Sequence, residues 1–137
     1  MVSVRLYLLA LMVIAVVSCS EGSVEPSVSF DDQNCSSSDV GGWPSSGPIE
    51  IEVSNNSNVG TAVVMGTYAD GFGHADLVAY GPDVSTRPSF IEALEIHEVS
   101  AGATSLLTFD HGPGTYFMVC MPGHNTMVVL EDVTIEE

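Results

Sequence analysis

Cys120, His124 and Met127 fall within one short stretch, CMPGHNTM, at residues 120–127. A thiol, an imidazole and a thioether that close together are three potential ligands for one soft transition metal. They can equally be a core cysteine, a loop histidine and a packing methionine. His74, in DGFGHADLVAY, is a fourth candidate. The two remaining histidines offer less. His97 lies between Ile96 and Glu98 in LEIHEV, where alternation directs it to solvent, and His111 in DHGPG reads as a turn residue. The chain has no phosphate-cradling Gly-Lys loop, no Ser/His/Asp spacing and no Cys-x2-Cys zinc pair. Nothing in it calls for a catalytic nucleophile or base.

The elements that must position these residues read as β-structure. PIEIEVS alternates, with Ile49, Ile51 and Val53 facing in and Glu50 and Glu52 facing out. TAVVMGTY reads as a buried strand, DLVAY as a short one, and EIHEVS, TSLLTF, GTYFMVC and TMVVLEDVTI follow, separated by turn residues. SVSFD alternates and starts the domain near residue 27. STRPSFIEAL is the one stretch suited to a helical turn. Seven or eight short strands without a long amphipathic helix predict an all-β fold, an antiparallel Greek-key β-sandwich over residues 27–137. Met65, Met118 and Met121 are expected in the core. Tyr116, four residues before Cys120, shares its face and is expected to bond its hydroxyl to backbone. Trp43 reads as a lid over one end of the sandwich.

Residues 1–18, MVSVRLYLLALMVIAVVS, have one early positive charge and a short apolar core. That core is too short to span a bilayer and reads as a cleaved export signal. The quartet VVSC resembles the lipobox of bacterial lipoproteins, which implies lipid on Cys19 and a tether over 19–26. Ordinary signal cleavage satisfies the same residues. The expected location is the periplasm or cell surface, membrane-anchored through Cys19. The charge balance is extreme, with 18 acidic residues, no lysine, and Arg5 and Arg87 as the two basic ones. Such a surface repels nucleic acid and suits a basic protein partner, or simply solubility in a salty medium. The sequons at Asn34 and Asn55 are incidental in a bacterial chain.

The C-terminal run VSAGATSLLTFDHGPGTYFMVCMPGHNTMVVLEDVTI resembles the end of cupredoxins, the small blue-copper β-sandwiches, and DGFGHADLVAY resembles their segment with the first histidine ligand. The resemblance covers about residues 48–135. It implies a cupredoxin-like fold and a copper ion held by His74, Cys120 and His124, with Met127 axial. Such a site carries single electrons or copper, and its expected partner is a basic redox protein. A second reading stays open. With Cys19 lipidated, Cys35 and Cys120 remain, and an exported chain usually pairs two such cysteines. A Cys35–Cys120 disulfide removes the thiolate and leaves a metal-free surface module of binding or structural role. A third reading is a domain that binds Cu(II) or another ion through histidines alone.

Overall fold

A computed structural model describes residues 26–38, 46–83, 85–124 and 126–137. The export segment, Cys19, nearly all of the tether and Trp43 lie outside the described residues. The strands are β1 (Ser27–Phe30), β2 (Cys35–Ser38), β3 (Ile49–Asn55), β4 (Thr61–Tyr68), β5 (Ile91–Val99), β6 (Thr104–Phe109), β7 (Gly114–Pro122), β8 (Val128–Val129) and β9 (Val133–Ile135), with one helix, α1 (His74–Tyr80). They form two sheets. The first has the order β2-β1-β3-β6 and the second β5-β4-β7-β8, with β9 paired to the start of β7. The chain passes between the layers from β3 to β4, from β5 to β6 and from β6 to β7. The expected all-β sandwich of two sheets is the architecture found. One pairing departs from it: β1 runs parallel to β3, with Val28 beside Val53.

Alternation builds the layers. In β3, Ile49, Ile51 and Val53 are fully buried while Glu50 and Glu52 are exposed. In β7, Tyr116, Met118 and Cys120 enter the inner core between the sheets. Phe117 and Val119 point the other way, into an outer cluster with Val64, Leu77 and Met127. The second sheet therefore buries both faces, which explains why β4 and most of β7 read as continuous apolar runs. The outer face is covered in part by α1, through Leu77, its one buried residue.

Two local expectations are corrected. DLVAY is not a strand; His74–Tyr80 is a single helical segment, with the Asp76 carboxylate accepting from the Gly73 amide at 2.9 Å. STRPSFIEAL holds no helix but a turn leading into β5. Cys35–Ser38 forms an edge strand although CSSS lacks apolar alternation. The preceding turn is closed by the Asp31 side chain, which accepts from the Gln33 and Asn34 amides.

A bulge in the pairing of β4 with β5 also changes which residues face inward. The register moves from Met65–Glu95 to Gly66–Ala93, so Leu94 is the extra residue. A Cβ on Gly66 would lie 1.9 Å from the Glu92 carbonyl oxygen, so this close approach requires glycine. Past the bulge the alternation inverts. His97 becomes half-buried and its Nε2 lies 2.7 Å from the Ser105 hydroxyl, while Ile96 is 61% exposed. The expectation of a solvent-facing His97 is corrected accordingly.

Candidate metal centre

β7 delivers Cys120 to the inner core, where the residue is fully buried between Val63 and Val128 as strand neighbours. Its sulfur is bonded to Cys35, with Cα atoms 6.4 Å apart, so the thiolate that a copper site needs is consumed. The bond joins β2, the edge of the first sheet, to a central strand of the second. Of the two sequence readings of Cys120, the disulfide is the one found.

The other proposed ligands do not converge on that sulfur. Pro122 and Gly123 turn the chain, with His124 donating its amide to the Met121 carbonyl at 3.2 Å. His124 has φ 61°, a left-handed conformation that histidine tolerates better than most residues. Its exposed ring reaches the residue just before β4: a Cβ on Gly60 would lie 3.5 Å from Nε2. The position facing this imidazole therefore has no side chain to act as a second ligand. Met127 packs in the outer cluster with Val64, Phe117 and Val119, on the opposite face of the sheet from Cys120.

His74 begins α1, beyond the other end of β4. Its Nδ1 lies 3.1 Å from Asp132 Oδ1, the same oxygen that accepts from the Tyr68 hydroxyl at 2.8 Å. Tyr68 is the last residue of β4, and Gly60 precedes the first. The eight residues of β4 span about 24 Å at ~3.4 Å per residue. His74 and His124 thus sit at opposite ends of the sandwich. Among the described residues, no three His, Cys, Asp or Glu side chains are grouped to hold a metal. The structure does not bring His74, Cys120, His124 and Met127 together, and with the Cys120 sulfur bonded to Cys35 these residues do not fit a type 1 copper ion. The histidine-only reading meets the same separation of the rings.

Two polar groups carry more weight than their sequence suggested. Burial, then the Asp132 hydrogen bond and charge, with Asp76 contributing, hold the Tyr68 phenol protonated well above its ordinary range. Asn55, read in the sequence as part of an incidental sequon, is 1% exposed. Its amide donates to the carbonyls of Val59, Val99 and Ser100, and its Oδ1 accepts from the Ser57 amide and hydroxyl. A polar residue closing an alternating strand was the only signal available for it. His111 lies in the β6–β7 turn with its ring tilted against Phe109, centroids 4.4 Å apart, and Tyr116 donates its hydroxyl to the Gly112 carbonyl, the backbone bond expected of it.

No protein-family model matches the chain, and no curated protein matches it. Among solved structures it is similar to Na-dithionite reduced auracyanin from the photosynthetic bacterium Roseiflexus castenholzii. The identity is 15%, covering 81% of this chain and 95% of that one, with a TM-score of 0.43.

Proposed function

We propose that this chain is an exported, disulfide-locked β-sandwich that serves the cell envelope as a binding or structural module and does not carry electrons through type 1 copper. The observation that supports this reading is the state of Cys120: its sulfur is bonded to Cys35 and the residue is 0% exposed. A copper thiolate requires that sulfur free. Disulfides persist in oxidising compartments, so the bond also agrees with the export segment. Lipid on Cys19, with residues 19–26 as a tether, would hold the sandwich at a membrane. Its acidic surface suits a basic protein partner, and that association weakens as salt rises.

The test is a thiol count. Denatured, unreduced protein should show no alkylation at Cys35 or Cys120, and Cu(II) should leave the native protein colourless. An alkylatable Cys120, together with an intense blue colour that Cys120→Ser bleaches, would overturn the proposal. The anchor is checked separately: mass analysis should find lipid on Cys19 and none in Cys19→Ala.

A further inference from the structure

The described residues cover the outer face of the second sheet incompletely. Between the segment that follows α1 and the edge strand β5 lies an open depression of about 180 Å³. Its floor and walls include Pro88, Ile91, Ala93, Ile96 and Met121, and the one charged residue lining it is Arg87. Ile96 stands exposed at its edge because the bulge in β5 turned it outward.

Arg87 is the only lysine or arginine among the described residues of a chain with 18 acidic side chains. Even so, it has no carboxylate partner among the described residues, where the one contact of a basic side chain with a carboxylate is that of His74 with Asp132. Its guanidinium makes one long contact, 3.4 Å to the Ile91 carbonyl, and is otherwise exposed. Chance placement on so acidic a surface would be expected to find an acidic neighbour. Among the described residues this cation instead stands without an acidic neighbour, beside an apolar hollow.

We infer that this hollow binds a small monocarboxylate with an apolar body, the ring or short chain lying on Ile91, Ala93, Ile96 and Met121 and the carboxylate pairing with Arg87. A guanidinium fork matches a carboxylate in two parallel hydrogen bonds. Apolar walls with one placed polar group are the usual composition of a small-ligand site, and at about 180 Å³ this one is smaller than the usual ~300–1,000 Å³, which limits it to a small occupant. The acidic surface disfavours polyanions. One negative charge in contact with Arg87 is favoured by that contact, while the more distant repulsion is screened beyond about 8 Å at physiological salt. The site lies on the far face of the sheet from the Cys35–Cys120 bond and does not depend on that bond's state.

The probe pair is 3-phenylpropionate and its neutral counterpart 3-phenylpropan-1-ol, titrated into the purified protein and followed by NMR. The acid should shift the methyl signals of Ile91, Ala93, Ile96 and Met121. It should bind about tenfold more tightly than the alcohol, as expected for a charge-assisted hydrogen bond. Arg87→Gln should abolish that preference, and Ile96→Glu, which adds a like charge at an exposed position, should weaken the acid far more than the alcohol. Both variants are at solvent-facing sites, and their spectra report whether the fold is kept. Equal affinity for the two probes, shifts confined to other surfaces, or no shift at millimolar probe would overturn the inference.

Discussion

Asn55 closes β3 with an almost fully buried amide that bonds the carbonyls of Val59, ahead of β4, and of Val99 and Ser100 at the end of β5. Truncation leaves those carbonyls and the Ser57 amide short of partners in a site water cannot easily fill. Asn55→Ala should therefore cost about 3 kcal/mol, read from the urea midpoint, with an unchanged slope. The Tyr68–Asp132–His74 chain is open to a pH test. The ordinary value of a tyrosine is 10.0, and the folded state raises it, burial first and Asp132 next. Below that ordinary pH the contribution to stability is fully present. Above it the unfolded chain loses its phenolic proton while the folded chain keeps it, so stability falls as pH climbs through the folded value. Asp132→Asn should lower the Tyr68 transition in an ultraviolet titration and shrink that alkaline loss. At this scale the sequence was least informative. It singled out four ligand-type residues, but spacing along a chain does not say which face of a strand a sulfur enters or at which end of a strand a ring sits.

Among the elements, the β1–β2 hairpin is the most weakly held. β2 is an edge strand bonded only to β1, and β1 joins the sheet only through β3. The Cys35–Cys120 bond fastens this hairpin to β7 across a separation of 85 residues. Chain-entropy arguments credit a crosslink of that span with roughly 4–5 kcal/mol. Cys35→Ser should lose about that amount, and hydrogen exchange should then show residues 27–38 opening before β3, β4 and β7. Even protection across all strands after the substitution would show that the bond is not what holds the hairpin. Alternation disclosed β3, which buries one face, and continuous apolar runs disclosed β4 and most of β7, which bury both. Pattern failed for α1, whose single buried residue, Leu77, leaves no helical period to read, and for β5, where one bulged residue inverts the pattern.

Across the whole molecule, charge is the dominant unusual term. The formal net charge is -16, and the one ion pair among the described residues involves a histidine. Repulsion among surface carboxylates destabilises the compact state, and salt screens it, the Debye length shrinking from about 10 Å at 0.1 M to about 3 Å at 1 M. Thermal stability should therefore rise from 0.1 to 1 M sodium chloride. A flat or falling midpoint would mean that the carboxylates are far enough apart to be screened already. The same field favours a basic partner at low salt, so ionic strength should move stability and association in opposite directions.

The sequence by itself determined the two-layer β-architecture, the inner faces of its central strands and the acidity, because periodicity and composition are properties of the chain alone. It also reduced Cys120 to two possible states. Only the tertiary structure chose between them, and for a geometric reason. Folding brings Cys35 on an edge strand against Cys120 in the core, turns Met127 to the far side of the same sheet, and puts the length of β4 between His74 and His124. Whether distant residues meet depends on which strands pair and in what register, and no local spacing carries that information.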